Sequence, residues 1–205
     1  TRYFSSAASD VYKRQTNETD HIVKIELVNG KKHNPLSLEL IKDLTNSLIQ
    51  ISSQKKVKVL IISSEGPGFS AGHDLDELRK NKNNKKFFNE LFNECSNLMQ
   101  TIMNLPQPVI AEVCGIAAAA GCQLVASCDL AVASEQAAFM TPGVNIGLFC
   151  STPMVAVSRN LSRKKIMEML LTGEKLSAKD AVDYGLINHC AVSYTHLTLP
   201  TRSTV

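Results

Sequence analysis

The chain is organised around one stretch of small residues, Cys114-Gly-Ile-Ala-Ala-Ala-Ala-Gly-Cys-Gln-Leu124. The apolar run at 108–113 before it predicts a buried strand, and residues 122–127 predict the start of a helix. Small residues at such a turn let a ligand approach the backbone, and the free N–H groups at a helix start favour negative charge. The stretch therefore predicts either an oxyanion-binding turn or the tight packing of two elements.

A second stretch upstream, Phe69-Ser-Ala-Gly-His-Asp-Leu75, has the same character. It follows a strand predicted at 57–62 and a loop at 63–68, and it leads into a helix predicted to begin at Asp74 or Leu75. This repetition shifts the balance towards oxyanion binding and away from packing alone.

The composition is that of an ordinary globular protein. The 205 residues suffice for one domain with a sizeable core, and 44% of them are hydrophobic and 20% charged. The formal net charge of +3 is too small to indicate nucleic-acid binding, and no apolar run is long enough to span a membrane. The six cysteines form no C-x-x-C pair and mostly lie in apolar runs. We therefore expect buried free thiols in a reducing compartment, with neither disulfides nor a metal site.

Both ends of the chain resemble a translated sequencing adapter. Residues 5–15 match one reading frame of a widely used transposase adapter, and residues 192–201 match its reverse complement. We therefore expect 1–15 and 192–205 to be disordered adapter sequence, and we exclude them, with Tyr194 and His196, from any site. The remaining domain, 16–191, is expected to be part of a longer gene whose native N-terminus and C-terminus are both missing.

Strands and helices alternate through the rest of the chain. We predict strands at 21–28, 57–62, 109–113, 129–133 and 186–190, and an extended segment at 139–146. We predict helices at 36–52, 87–105, 151–160 and 164–171, and a further one that Ser177 opens and that ends near Gly185. Ser37 is expected to cap the first helix, and Gly173 to end the one at 164–171. This alternation predicts an α/β fold with a mostly parallel sheet.

With both small-residue stretches in place, the chain resembles the crotonase (enoyl-CoA hydratase/isomerase) superfamily over residues 21–191. Further matching segments are Asp129-Leu-Ala-Val-Ala133, Phe139-Met-Thr-Pro-Gly-Val-Asn-Ile-Gly-Leu148, Leu171-Thr-Gly-Glu174 and Ser177-Ala-Lys-Asp-Ala181. The resemblance implies a crotonase-like spiral of ββα units whose C-terminal helical region is truncated here. It also implies a site for acyl-CoA, in which CoA is part of the substrate and no other cofactor is needed.

The resemblance assigns an oxyanion hole to two backbone N–H groups, those of His73 and Ala120. Such donors hold the thioester oxygen and stabilise an enolate, at about 3–4 kcal/mol each. Ala120 stands where many family members have glycine, so its fit depends on the local backbone angles. The substrate and CoA contacts that the resemblance implies are His33, Pro35, Ala71, His73, Asp74, Leu75, Ala120, Pro142, Gly143 and Ser151. Pro35 is a departure, since the family usually has alanine there.

Two positions depart from the chemistry of a hydratase. The family uses one glutamate at the position of Gln123 and another at the position of Gly143. An amide does not titrate near neutral pH and glycine has no side chain, so two acid–base groups, worth about 10²–10⁴-fold each, are missing. Gln123 is either an orienting hydrogen-bond partner or a helix residue without a role in chemistry. We therefore expect no efficient hydratase activity.

Three other side chains are candidates for chemistry, and the resemblance assigns a family position to Ser151 and His73. Ser151 replaces an aspartate that dienoyl-CoA isomerases use, and it is predicted instead to cap the 151–160 helix. Cys150 is a nucleophile only if its pKa is depressed, and we predict a buried thiol. His73 has a useful pKa, but its family position contributes the backbone N–H and not the ring.

The function predicted from these residues is acyl-CoA thioester binding in fatty-acid metabolism. Three alternatives stay open: an inactive regulatory homologue, a hydratase with a non-standard base, and a thioesterase, decarboxylase or isomerase that uses the oxyanion hole. The resemblance also implies a trimer or hexamer of the full-length protein and a mitochondrial location, with neither nucleic acid nor a membrane as a partner. A nucleotide-binding domain is disfavoured because neither G-x-x-x-x-G-K-[ST] nor G-x-G-x-x-G occurs.

Overall fold

The computed structural model describes residues 21–191 and the backbone of two short segments, 2–4 and 12–17. The helices of this part of the chain are α1 (Leu38–Ser52), α2 (Leu75–Lys80), α3 (Lys85–Asn104), α4 (Ala120–Ser127), α5 (Ser151–Val157), α6 (Arg163–Thr172) and α7 (Ala178–Asp183). Its strands are β1 (Arg2–Phe4), β2 (Tyr12–Asn17), β3 (Ile22–Leu27), β4 (Val59–Ser64), β5 (Gly68–Ser70), β6 (Val109–Val113), β7 (Ile116–Ala118), β8 (Leu130–Ser134), β9 (Ala138–Met140), β10 (Leu176–Ser177) and β11 (His189–Ala191). Short 3-10 helices occur at Gly30–Lys32 and Pro142–Ile146.

Two sheets form the framework of the fold. The larger has the order β1-β2-β3-β4-β6-β8-β11, and its strands from β3 to β11 run parallel. The smaller has the order β10-β9-β7-β5, and β5, β7 and β9 run parallel within it. Three strands of the larger sheet are each followed by a short strand of the smaller sheet and then by a helix: β4-β5-α2, β6-β7-α4 and β8-β9-α5. The predicted α/β fold with a spiral of ββα units is therefore confirmed.

The core follows the apolar periodicity of the chain. In β3, Val23, Ile25 and Leu27 are buried while the residues between them are partly exposed, as the two-residue period of a strand requires. Helix α1 packs on α3 and begins at the predicted cap, where the side chain of Ser37 accepts a hydrogen bond from the Leu40 N–H. Each large apolar side chain buried in this way contributes about 1.5–3 kcal/mol.

The segment predicted to be extended at 139–146 changes structure halfway. Strand β9 ends at Met140, and the 3-10 helix Pro142–Ile146 follows. Pro142 has no N–H for sheet pairing and a fixed φ that suits the first turn of a helix. The extended prediction is therefore wrong beyond Met140.

The helix predicted at 151–160 is shorter and is capped differently. Helix α5 ends at Val157, and the Arg159 N–H and the Asn160 side chain then both donate to the Ala156 carbonyl. The N-cap is Cys150, whose side chain makes no cap hydrogen bond, and Ser151 is the first helical residue. The predicted capping role of Ser151 is wrong, because the chain enters the helix one residue before it.

Other element boundaries move by two or three residues. Strand β4 begins at Val59 because the Val57 N–H is used in a turn, where it donates to the Gln54 carbonyl. The last strand begins at His189 and not at 186, because residues 186 and 187 both donate to the Ala181 carbonyl in the turn after α7. Helix α4 begins at Ala120, two residues earlier than predicted.

Strand β1 lies within the range 1–15, where disorder was expected, and β2 begins in this range and ends at Asn17. The β2 backbone pairs antiparallel with β3, and β1 pairs with β2. Without β2, strand β3 would be an edge strand with a row of exposed N–H and C=O groups, and such a row pairs with an extended neighbour. At residues 2–4 and 12–15 the structure thus has strand pairing where disorder was expected, and the rest of 1–15 lies outside the described residues. The adapter origin stays a prediction, and residues 192–205 lie outside the described residues.

Candidate functional site

The early turn, defined as residues 29–36, is bonded to the stretch at 69–75. The Ala71 N–H donates to the His33 carbonyl and the Leu36 N–H donates to the Gly72 carbonyl, both at 2.8 Å. The side-chain amide of Asn34 donates to the carbonyl of Gly68, also at 2.8 Å. These bonds hold the early turn and the first small-residue stretch together as one unit.

The second small-residue stretch enters α4 through a strained residue. Ala119 precedes the helix with φ 48° and ψ −117°, a region that costs an L-residue about 1–3 kcal/mol. The position that prefers glycine is therefore Ala119 and not Ala120, because Ala119 makes the turn from β7 into α4. Ala120 is the first helical residue, so its N–H has no acceptor within the helix.

The two small-residue stretches touch each other at Gly72. A Cβ atom built on Gly72 would lie 3.1 Å from the backbone N of Ala120 and 3.0 Å from the carbonyl oxygen of Ala118. Within the described part of the chain, neither the His73 N–H nor the Ala120 N–H has a hydrogen-bond acceptor. The structure thus brings the two predicted donors onto adjoining turns with their N–H groups free.

The His73 imidazole packs edge-on against the ring of Phe92, with centroids 5.6 Å apart. Its Nδ1 lies 3.4 Å from the Leu36 carbonyl oxygen, which only accepts, so Nδ1 carries the hydrogen. Its Nε2 is buried and has no partner among the described residues. Burial lowers the pKa of His73 and outweighs the opposing effect of the Leu36 carbonyl. The ring is therefore neutral at neutral pH and has a free lone pair on Nε2.

Gln123 lies one helical turn after Ala120 and is only 6% exposed. Its Oε1 is buried and has no hydrogen-bond partner within the described residues. The side chain lines a cavity of about 170 Å³ between α3, α4 and α5, to which Phe92, Thr152 and Arg159 also contribute. Phe92, in the wall of this cavity, also contacts the His73 ring.

The space beside Gly143 is filled by the thiol of Cys150. The Gly143 N–H donates to the Sγ of Cys150 at 3.3 Å. A Cβ atom on Gly143 would lie 2.8 Å from this sulfur and 2.9 Å from the carbonyl oxygen of Leu148. Burial raises the pKa of Cys150, partly offset by the Gly143 hydrogen bond, so the thiol is protonated at neutral pH. The predicted buried thiol is confirmed. Pro142 and Ser151 flank this contact in the chain.

The predicted CoA contacts His33, Pro35, Ala71, Asp74 and Leu75 lie on the early turn or on the stretch bonded to it. Leu75 is 48% exposed at the start of α2. The Asp74 carboxylate caps this helix, since its Oδ1 accepts hydrogen bonds from two N–H groups of the first turn. The structure therefore gives Asp74 a structural role, and its contact with CoA stays a prediction.

Among residues 21–191, no three His, Cys, Asp or Glu side chains come together as a metal site requires. No helix in this range combines the length and the apolar character needed to cross a bilayer. All six cysteines are free thiols, and Cys95, Cys122 and Cys150 are buried. Cys114 is exposed and departs from the expected pattern, because β6 ends one residue before it.

Two residues of the cavity wall, Phe92 and Arg159, were not predicted as part of the site. Phe92 is 41% exposed and lies beside, not on, the buried face of α3, and Arg159 lies just past the end of α5. Neither residue belongs to a local motif. They meet Gln123 only through the packing of three helices, so periodicity carries no signal for them.

Comparison with known proteins identifies the family of this chain. Residues 17–200 match the family model described as Enoyl-CoA hydratase/isomerase. The chain therefore belongs to the enoyl-CoA hydratase/isomerase family.

Relatives include vertebrate proteins named enoyl-CoA hydratase domain-containing protein 3, mitochondrial. The human protein is 52% identical over 171 residues, which cover 83% of this chain and 56% of the human protein. The Danio rerio protein is 50% identical over 173 residues, which cover 84% of this chain and 60% of that protein. The chain thus spans less than two thirds of the length of these relatives.

Solved structures support the same assignment. The crystal structure of human enoyl-CoA hydratase domain-containing protein 3 matches with a TM-score of 0.85 and 48% identity, covering 89% of this chain and 71% of that one. An enoyl-CoA hydratase from Mycobacterium smegmatis matches with a TM-score of 0.86 and 42% identity, covering 90% and 71%. Both comparisons confirm the fold.

Proposed function

We propose that this protein binds acyl-CoA thioesters and holds the thioester oxygen with the backbone N–H groups of His73 and Ala120. The family assignment and the free state of both N–H groups support this proposal. Donors held by the fold meet the oxygen without reorganisation, and each is worth about 3–4 kcal/mol where negative charge develops. The site would therefore bind the thioester and polarise its carbonyl.

The contact between Gly72 and Ala120 carries this proposal. A Cβ atom on Gly72, the residue that precedes one donor, would lie only 3.1 Å from the nitrogen of the other donor, so the two turns leave no room for a side chain there. We propose that one oxygen atom held at these adjoining turns accepts from both N–H groups. The close approach depends on glycine at position 72, where φ is 87°.

We do not propose efficient hydration of enoyl-CoA by this protein. Gln123 has an amide and Gly143 has no side chain, so neither position supplies a carboxylate. The loss of even one such group costs about 10²–10⁴-fold in rate. A binding or regulatory role in fatty-acid metabolism follows, and the names of the relatives support a mitochondrial location.

Infrared spectroscopy of bound butyryl-CoA with a ¹³C-labelled thioester carbonyl tests this proposal. We expect the carbonyl band to move to lower frequency on binding, because two hydrogen bonds weaken the C=O bond. Ala120→Pro removes one donor, and proline suits the first position of a helix. We expect this variant to retain binding through the CoA moiety while the band shift shrinks.

Arg163→Pro is the matched control, since it places proline at the first position of α6, away from the site. Gly72→Ala provides a second test, because its methyl group would push the two turns apart. Circular dichroism checks that each variant folds. A carbonyl band that does not move in the native protein, or that moves as far in Ala120→Pro and Gly72→Ala as in the native protein, would contradict the proposed oxyanion hole.

A slow acid–base reaction through His73 is a second candidate function. The unpaired Nε2 lone pair favours it, because burial keeps the imidazole in the neutral form that acts as a general base at neutral pH. His73→Gln removes the base and keeps the backbone N–H. We expect any hydration of crotonyl-CoA, followed by the loss of enoyl-thioester absorbance, to fall at least about a hundredfold in this variant. Equal rates would exclude the ring as the base.

We also propose that the apolar segment after β9 contacts another subunit. Ile146, Leu148 and Phe149 are 62%, 60% and 46% exposed. Single exposed apolar residues are normal, but a contiguous group marks an interaction surface. The trimer or hexamer implied by the resemblance would cover this group. Light scattering of the native protein and of Leu148→Asp tests this, and a native monomer would contradict it.

A further inference from the structure

The cavity between α3, α4 and α5 has an unusual charge balance for an acyl-binding site. Its wall combines apolar side chains, such as Phe92 and Met99, with amide and hydroxyl groups, such as Gln100 and Thr152. Arg159 is the one charged residue among those that line it, and no carboxylate lines it. The described wall is therefore net positive.

Gln123 contributes a neutral amide to the wall of this cavity. The residue is more than nine-tenths buried, and its Oε1 makes no hydrogen bond to any described residue. An amide carries no net charge, so an anionic group in the cavity meets no electrostatic repulsion from this residue.

Arg159 lies at the rim with its charge uncompensated. The guanidinium is exposed, its Nη1 lies 3.6 Å from the Sδ of Met103, and no ion pair to a carboxylate is formed within the described residues. A planar guanidinium binds a carboxylate with two parallel hydrogen bonds. The cavity wall thus combines the amide of Gln123, one helical turn from Ala120, with the exposed anion-binding group of Arg159.

The amide at Gln123 keeps negative charge out of the cavity wall. A glutamate at this position would repel an anionic acyl group, whereas an amide does not. The volume of about 170 Å³ also limits the ligand. A cavity of roughly 150 Å³ holds benzene, so this one suits an acyl chain of about four to six carbons.

We propose that the acyl group taken by this site ends in a carboxylate, as in a short dicarboxylic acyl thioester, with Arg159 binding that carboxylate and Gln123 contacting the chain. This inference rests on the proposed acyl-CoA function and specifies its substrate class.

Calorimetric binding of three matched acyl-CoA pairs tests the inference. The pairs are butyryl- and succinyl-CoA, valeryl- and glutaryl-CoA, and hexanoyl- and adipyl-CoA, each at fixed ionic strength. We expect the carboxylated member of at least one pair to bind about fivefold to tenfold more tightly, the range typical of one charge-assisted contact near a surface. Added salt should reduce this preference.

Variants assign the preference to its residues. Arg159→Gln should abolish it, and Gln123→Glu should reverse it by restoring a negative charge to the wall. Arg163→Gln is the control, because this exposed arginine lies outside the cavity and should keep the native preference.

The outcomes separate this inference from the proposed function. Tight binding of the alkyl members without any carboxylate preference would overturn the inference and leave the acyl-CoA function standing. A preference that survives Arg159→Gln would also overturn it. Failure to bind any of the six thioesters would overturn the proposed function and the inference together.

Discussion

The N–H of Gly143 donates a hydrogen bond to the Sγ of Cys150 at 3.3 Å, and the sulfur occupies the space that a side chain at 143 would need. Such a side chain would also meet the carbonyl oxygen of Leu148 at 2.9 Å. Position 143, to which the resemblance assigns the second glutamate of a hydratase, is therefore closed by packing. A carboxylate there requires a rearranged loop as well as a new residue.

Gly143→Ala is expected to lower the free energy of unfolding by about 1–3 kcal/mol, because its methyl group overlaps a thiol and a backbone oxygen. Adding Cys150→Gly should recover part of this loss by removing the sulfur. Urea unfolding of the native protein, both single variants and the double variant measures the coupling. A Gly143→Ala variant as stable as the native protein would show that the loop yields freely.

The paired change of Gln123→Glu and Gly143→Glu is expected not to create hydratase activity. The new side chain at 143 has no room to reach a substrate while Cys150 holds its place. Adding Cys150→Gly to the pair should produce the first measurable hydration of crotonyl-CoA, followed by the loss of enoyl-thioester absorbance. Brisk hydration by the pair alone would contradict the closure of position 143.

Ala119→Gly is expected to stabilise the protein by about 1 kcal/mol. The residue has φ 48°, which glycine adopts without steric cost and alanine does not. Ala118→Gly is the control, since that residue lies in β7 and glycine weakens a strand. The two midpoints of urea unfolding should move in opposite directions. A lower midpoint for Ala119→Gly would mean that the strain is relieved elsewhere.

His73 is expected to make stability depend on pH. Burial lowers the pKa of His73 in the folded protein below its ordinary value of about 6.5, so the unfolded chain takes up a proton at higher pH. Stability is therefore lost as pH falls below about 6.5. His73→Gln should lose less stability than the native protein between about pH 7 and pH 5. His189→Gln, at an exposed histidine, is the control, and identical profiles for native and His73→Gln would refute the burial effect.

Asp74→Ala is expected to destabilise the protein by about 1 kcal/mol, because Oδ1 of Asp74 caps α2. Asp74→Asn should retain most of the stability, since its side-chain oxygen still accepts the cap bonds. Thermal unfolding compares the two variants, and binding of CoA is measured beside it. If both variants lose CoA affinity equally while Asp74→Asn stays stable, the carboxylate contacts the ligand as well.

The caps at Ser37 and Gly173 were predicted correctly because a cap depends on a few consecutive residues. The cap predicted at Ser151 was wrong, since the helix begins one residue earlier in the pattern. The error at 142–146 has a different cause. A short apolar run suits a strand and a short helix alike, so periodicity does not separate them.

The sequence by itself determined the α/β alternation, the two small-residue turns and the lack of a carboxylate at Gln123 and Gly143, because each is a property of residue identity or of nearby spacing. Only the tertiary structure decided that Ala119 takes the positive φ, that Cys150 closes the space beside Gly143, and that Gln123 shares a cavity with Arg159. These relationships join positions from different helices and loops. They depend on how the elements pack in space, and a periodic pattern along the chain carries no record of that packing.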